Sequence, residues 1–535
     1  KMKEANKALD AIVVGAGFAG IYMLHRLRQQ GLNAKVIEAG TGVGGTWYWN
    51  RYPGARCDIP SMQYSYQFSE ELQQEWEWSE KYATQGEILK YAEHVVDRFG
   101  LKDGIQFNTK VASAKYLEER EMWQLGLSSG ETLEARFVVM ATGCLSKPNY
   151  PNIKGLNECS VPVYHTGAWP HEGVDFTGLN VGVIGTGSSA IQSSPIIAKQ
   201  ANSLTIFQRT PNYSIPAYNE ALDPDYVKEL KSRYKEYRVE NWQRGFGADF
   251  DDSDQSAFEV SDDERRAEYE KRWAKGGLAF LAVYNDLVFD MKANDTARDF
   301  FKEKIAQRVN DPKLAEKLIP VTPIGCKRLC VDSDYYEIYN QDHVKLIDLK
   351  QTPITEIKGD TVFTSGGEYK VDAIILATGF DAMTGAITNV DIQGEGGKKL
   401  QDKWAPGPKA YLGLATAGFP NLFIVTGPGS PSVLSNMLPS IEQHVEWISD
   451  CIEYMNDNQH VAIRVDQQAE EEWVSHVNDV AQTSVYPGCN SWYMGANVEG
   501  KTRVFMPYLG VPPYVEKCNQ VVAAGYEGFV LSGNG

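Results

Sequence analysis

Apolar residues along this chain fall into one arrangement that is written twice. Asp10 to Val14 is a near-continuous apolar run of strand length. A glycine turn follows, then helical spacing from about Ala19 to Gln30 that stops at Gly31, then a second strand, Ala34 to Ile37, ending in Glu38. Residues 180 to 209 repeat the design, with strand Val181–Ile184, a glycine turn, a helix to about Ala201 and strand Leu204–Gln208. Apolar strands alternating with helices specify parallel strands covered on both faces.

Between about 215 and 325 the pattern changes and charged, helical spacing replaces the strand-like runs. Asp223-Pro224 reads as an N-cap with a first-turn proline, and Val227, Leu230, Tyr234 and Tyr237 then share one face of a single expected helix. Ser261 and Glu264 make a capping box, and Gly276-Gly277 can end that helix. Two further strands, Phe137–Met140 and Asp372–Leu376, each run into Ala-Thr-Gly and carry the chain out of a sheet. The pattern therefore predicts an α/β protein with two doubly wound, Rossmann-like dinucleotide-binding domains and a helical insertion in the second. The boundaries expected are 1–148 with 390–535 for the first domain, 149–214 with 326–389 for the second, and 215–325 for the insertion.

A length of 535 residues suits two or three packed domains. The formal net charge of −18 argues against a nucleic-acid partner. The longest apolar runs are strand-length, far below the roughly 20 residues needed to span a bilayer. The eight cysteines are scattered without a C-x-x-C pair, and Cys326 with Cys330 lack the histidines of a zinc site. We expect reduced thiols, no metal, a cytoplasmic location, no membrane partner, and a monomer or weak homo-oligomer.

The two glycine turns carry the first chemistry. Gly15-x-Gly17-x-x-Gly20 allows a tight turn, close approach of a pyrophosphate and close helix–strand packing, and the helix N-terminus supplies free N–H groups. The second turn, Gly185-Thr186-Gly187-Ser188-Ser189-Ala190, ends in alanine, which still permits close packing. The ends of the second strands differ. Glu38 can accept from a ribose hydroxyl and would repel a phosphate, whereas Arg209, followed by Thr210, attracts a 2′-phosphate. The first site suits FAD and the second NADPH. Without a dithiol to reduce, oxygen is the expected electron acceptor.

After Glu38 runs Gly44-Gly45-Thr46-Trp47-Tyr48-Trp49-Asn50-Arg51-Tyr52-Pro53-Gly54-Ala55-Arg56-Cys57-Asp58. This resembles a signature of the type I Baeyer–Villiger monooxygenases. A second signature, F-x-G-x-x-x-H-T-x-x-W-P, is matched in its latter half by His165-Thr166-Gly167-Ala168-Trp169-Pro170, while Cys159 and Val161 replace the usual Phe and Gly. The resemblance covers essentially the whole chain and is nearest the phenylacetone and steroid monooxygenase branch.

The resemblance implies both a reaction and the residues that carry it. NADPH reduces FAD, O2 adds at the flavin C4a carbon, and the peroxide attacks a ketone (aryl, cyclic or steroid-like) to give an ester or lactone. By the same resemblance Arg328 is the catalytic arginine and Asp58 its partner. Thr46, Trp47, Tyr64 and Met437 match FAD contacts, and Val433, Leu434 and Met437 border the substrate pocket. Thr186 to Ser189 and Gln192 line the NADPH pyrophosphate, Lys327 joins Arg209 and Thr210 at the 2′-phosphate, and Trp492 contacts the nicotinamide nucleotide. His165 is expected near the domain linker in a structural role. Two other readings stay open: a flavin monooxygenase oxidising sulfides or amines, and an uncoupled NADPH oxidase or flavin redox sensor.

Overall fold

The computed structural model describes residues 8–143, 147–380, 384–431, 434–488 and 510–533. Its first sheet begins with β1 (Leu9–Val14), β2 (Ala34–Ile37), β3 (Ile105–Gln106), β4 (Val111–Leu117), β5 (Met122–Leu127) and β6 (Thr132–Met140). Two short strands from far downstream complete it, β17 (Asp391–Gln393) and β18 (Leu422–Ile424). The order is β17-β4-β5-β6-β1-β2-β3, with β18 also paired to β6. β6 splits its outer edge: its first half pairs antiparallel with β5 and its last three residues pair parallel with β18. Central β1 places Ala11, Ile12 and Val13 fully out of water, as expected of a strand covered on both faces.

The second sheet is wholly parallel, in the order β12-β9-β8-β16-β7. Its strands are β7 (Val163–His165), β8 (Asn180–Ile184), β9 (Ser203–Gln208), β12 (Val344–Asp348) and β16 (Ala373–Leu376). The fold is thus α/β with parallel sheets. The antiparallel β4–β5 excursion was not part of the expectation. Three smaller pairings complete the strands: β10 (Ser214–Pro216) with β11 (Cys330–Asp332), β13 (Ile354–Lys358) with β14 (Thr361–Thr364) and β15 (Gly367–Lys370), and β19 (His460–Val465) with β20 (Phe529–Gly533).

Between β10 and β11 the chain is helical, and one expectation there needs correction. The helix foreseen through Val227 to Tyr237 is two helices, Pro224–Ser232 and Tyr234–Trp242, broken at Arg233 (φ −130°, ψ 24°). Leu230, Tyr234 and Tyr237 are nevertheless all buried, so the apolar face survives the break. The Ser261 hydroxyl accepts from the Glu264 N–H at 3.2 Å, and Gly276 ends that helix at φ 75°. A second correction concerns the thiols: Cys326 is disulfide-bonded, whereas Cys57, Cys159, Cys330, Cys451 and Cys518 are free.

The two links between the sheets run side by side. Pro148 and Phe380 form an antiparallel bridge, and the Asn149 N–H donates to the Gly379 carbonyl. His165 lies buried on this crossing, its Nδ1 accepting from the Gly167 N–H at 2.9 Å and its Nε2 3.1 Å from the Asn149 carbonyl. Burial lowers its pKa, so the neutral ring with its proton on Nε2 satisfies both contacts. Trp169 is part of the second core with Phe176. At Val161 the backbone does not enter the left-handed region, so the glycine usual there is not needed for conformation.

The helix Met437–Asp457 packs against the helix Phe18–Gln29 and buries Glu442. Both Glu442 carboxyl oxygens accept from the Gln67 N–H, at 2.9 and 3.0 Å. Burial above all, with Glu446 adding, pushes its pKa from 4.5 up to about 8. A raised acid pKa gives stability that is full below the unfolded value and lost as pH rises through the folded one. Glu442→Gln should therefore gain on wild type between about pH 5 and about pH 8, the Tm difference moving by a few degrees in its favour. A difference that stays constant across that window would mean Glu442 does not titrate there.

Candidate functional site

Both glycine turns leave their strands at the carboxyl ends, where open α/β sheets form ligand crevices. Gly15 has φ 105°, and a Cβ there would lie 2.4 Å from the Ala141 carbonyl oxygen. A Cβ on Gly20 would lie 1.8 Å from the Gly15 carbonyl, so the helix Phe18–Gln29 seats directly on the turn. Gly17 faces Gly45, whose added Cβ would come within 2.9 Å of the Gly17 Cα. The second turn repeats these features: Gly185 has φ 111° with Ala377 against it, while Gly187 opens onto free space. The helices that follow, Phe18–Gln29 and Ser188–Gln200, start at glycine N-caps without a capping side chain. Their first N–H groups remain available to a phosphate.

Glu38 is buried, and its carboxylate accepts from the Ala16 and Gly40 N–H groups at 2.8 and 2.6 Å. Those bonds anchor it at the mouth of the first turn and leave lone pairs for a ribose hydroxyl. Thr46 opens a one-turn helix, Thr46–Trp49, held to the turn through the Gly44 N–H on the Ala16 carbonyl. Trp47 Nε1 donates to the Tyr64 hydroxyl at 3.0 Å, and the rings meet edge-on at 6.0 Å. The donor set and glycine cradle fit FAD.

At the second turn the Thr186 hydroxyl donates to the Thr210 carbonyl at 2.7 Å and the Ser189 hydroxyl lies 3.0 Å from that of Thr166. Ser188 is exposed. Gln192 spends both ends of its amide across the sheets, on the Tyr52 hydroxyl and the Arg56 carbonyl. Arg209 follows β9. Burial lowers the pKa of Lys327, and Lys350 and Arg209 lower it further by repulsion. Three cations thus converge, none in an ion pair among the described residues. Such a cluster fits the 2′-phosphate of NADPH. Lys350 escaped the sequence reading because β12, which it follows, is not near β9 in the chain but pairs beside it.

Arg328 connects the two halves. Its Nε donates to Asp58 Oδ2 at 2.7 Å and its Nη2 to Oδ1 at 3.0 Å, the two-pronged geometry that fixes a guanidinium in orientation. The side chains retain 21% and 28% of their exposure, so the pair is partly but not wholly withdrawn from water. The Arg328 guanidinium lies 5.3 Å from the centre of the Phe246 ring. It also acts electrostatically on Tyr64 and on Tyr486, whose pKa burial pushes up to about 12.

Phe246 ties the site to the segment that carries Leu434 and Met437. Its carbonyl accepts from the Asn436 N–H at 2.9 Å, and the Asn436 side chain donates to the Gln63 carbonyl next to Tyr64. Leu434, buried, and Met437, half-buried, flank that asparagine. Arg328, Phe246, the Leu434–Met437 segment and Tyr64 are therefore drawn together. Phe246 and Tyr486 carried no signal in the sequence, since neither belongs to a motif. Val433 and Trp492 lie outside the described residues.

Comparison with known proteins places the chain among relatives along its whole length. A family model described as pyridine nucleotide-disulphide oxidoreductase matches residues 12–272. That stretch holds both nucleotide turns but no C-x-x-C pair, so the likeness is one of nucleotide binding. A phenazine N-monooxygenase of Lysobacter antibioticus is 41% identical over 98% of this chain and 97% of its own length. A Baeyer–Villiger monooxygenase of Pseudooceanicola batsensis is 39% identical over 99% of this chain and 97% of its own. Among solved structures, an oxidized steroid monooxygenase bound to NADP superposes with a TM-score of 0.94 at 50% identity, covering 99% of this chain and 100% of that one.

Proposed function

Because the chain belongs to the type I Baeyer–Villiger monooxygenases, we infer that it uses FAD, NADPH and O2 to convert ketones into esters or lactones. FAD, when bound and reduced by NADPH, would supply the two electrons that activate O2 for transfer of one oxygen atom. The observation that carries the roles of the residues is the two-pronged Arg328–Asp58 fork.

Insertion of oxygen beside a carbonyl builds negative charge on the carbonyl oxygen. Arg328 is always charged and held in a fixed direction, so it stabilises that oxyanion without reorganising at the moment of reaction. Asp58 orients it and offsets the cost of keeping it partly dehydrated. The Phe246 ring covers the guanidinium on one side and limits water there. Gly15, Gly17, Gly20, Glu38, Thr46, Trp47, Tyr64 and Met437 hold the flavin nucleotide. Gly185, Thr186, Gly187, Ser188, Ser189, Gln192, Arg209, Thr210 and Lys327 hold NADPH, with Lys350 added to the phosphate end. The division into an FAD domain (1–148, 390–535), an NADPH domain (149–214, 326–389) and a helical insertion (215–325) is supported by the strands each stretch contributes. No helix among the described residues is long and apolar enough to cross a membrane, and we place the protein in the cytoplasm.

Leu434, Met437 and Phe246 are apolar and stand on segments joined beside Arg328, which suits an aryl, cyclic or steroid-like ketone, and the 50% identity to a steroid monooxygenase supports the bulkier end of that range. The test is incubation with NADPH, O2 and such ketones, with the products identified by mass. A sulfide and an N-heteroarene run beside them, since one relative is a phenazine N-monooxygenase. Esters are expected. A sulfoxide or N-oxide with no ester from any ketone would overturn the reading.

The phosphate assignment carries its own prediction. Arg209→Ala should weaken NADPH binding about tenfold or more, the worth of one charge-assisted contact. NADH binding should change by less than about twofold, because it has no 2′-phosphate. Equal losses for the two nucleotides would remove Arg209 from the site.

A further inference from the structure

Gln192 sits in the second turn of the helix Ser188–Gln200, whose uncapped N-terminus faces the second glycine turn. Both ends of its amide cross to the other half of the molecule. Oε1 accepts from the Tyr52 hydroxyl at 2.5 Å, and Nε2 donates to the Arg56 carbonyl at 3.0 Å. Between those two residues Gly54, at φ 80°, lies so close that an added Cβ would be 2.5 Å from the Gln192 carbonyl oxygen. The Tyr52 ring packs against the second core, although its segment follows the first nucleotide turn. Three successive contacts thus bind residues 52 to 56 to this helix.

The same segment has no slack on its far side. The Gln85 N–H donates to the Ala55 carbonyl at 2.9 Å and the Cys57 N–H to the Ala83 carbonyl at 3.1 Å. Asp58 comes next, with both carboxyl oxygens on Arg328. A helix is stiff, so a small adjustment at its N-terminus moves Gln192 with it. That adjustment reaches Asp58 through only a few residues of braced chain.

We propose that Tyr52 and Gln192 form a latch through which occupancy of the nicotinamide-nucleotide site sets the position of Asp58, and hence of Arg328. Tyr52 is a positioning residue here, acting through its hydroxyl on Gln192. The proposal rests on the reading of the second turn as the NADPH site. It makes nucleotide binding and the Arg328 fork energetically linked, and such linkage is reciprocal.

Reciprocity supplies a test that needs no turnover. NADP+ is titrated into the FAD-loaded protein, following the flavin absorbance, for wild type, Asp58→Asn, Tyr52→Phe and the double variant. The latch predicts that Asp58→Asn shifts the NADP+ Kd about fivefold or more in the wild-type background and less than about twofold once Tyr52 is Phe. Equal shifts in both backgrounds, or none in wild type, overturn it. Purely structural packing by Tyr52 would lower Tm or flavin content and leave the two effects additive. Should Tyr52→Phe fold poorly, Tyr52→Met in the same cycle also removes the hydroxyl on Gln192 and gives the same contrast. Absence of NADP+ binding by wild type would instead refute the second-site reading and take the latch with it, whereas normal binding with additive effects refutes the latch alone.

Discussion

Arg328→Ala is expected to lower ester formation about a thousandfold while reduction of the bound flavin by NADPH continues. Removing one fixed donor from a developing oxyanion typically costs a factor of about 10² to 10³, and here the donor is a full charge with a two-pronged partner. NADPH consumed by the variant should appear as hydrogen peroxide, because nothing then directs the activated oxygen to the carbonyl. Arg328→Lys should not rescue the activity. Lysine offers one ammonium point where Asp58 and the reacting oxygen require a planar fork. Stopped-flow reduction of the flavin and product mass under the same conditions check both halves. Ester formation at near wild-type rates would remove Arg328 from the chemistry, and lost flavin reduction would mean that the variant damages the fold.

Gly15→Ala carries the second large effect, on cofactor retention. The position sits at φ 105°, which a side chain rarely adopts, and the added Cβ would meet the Ala141 carbonyl at 2.4 Å. Two costs therefore combine, backbone strain of about 1–3 kcal/mol and displacement of a rigid sheet edge. The displaced turn is the one that would seat the pyrophosphate, so the purified variant should hold less than about a tenth of the wild-type FAD. The ratio of flavin to protein absorbance measures this directly. Full FAD content in a folded variant would contradict the placement of the pyrophosphate on this turn.

The local elements were legible because their information is local. The strand Ala34–Ile37 lies where its apolar run stands, and the helix of the first unit begins one residue earlier than read, at Phe18. Glycine spacing exposed the two turns, since no other residue tolerates φ near 105° beside a packed carbonyl. The break at Arg233 was not legible, because Val227 to Tyr237 keeps one apolar face on either side of it. β4 and β5 were missed for another reason. They form an antiparallel hairpin with a half-polar alternation, without the continuous apolar run that marks the parallel strands.

By itself, then, the order of residues determined the α/β class, the two nucleotide turns, the contrast between Glu38 and Arg209, and through its signatures the family. Those are properties of short stretches, set by side-chain period and by backbone sterics. Tertiary structure alone decided that the Arg328–Asp58 pair, implied by the resemblance, would close as a two-pronged fork across 270 positions of chain. It also decided that Phe246 would cover the guanidinium, that Lys350 would join Lys327 and Arg209, and that Gln192 would turn its amide toward Tyr52 and Arg56. Such meetings depend on how sheets stack and where crossovers land, and no periodicity within one segment encodes the distance to another.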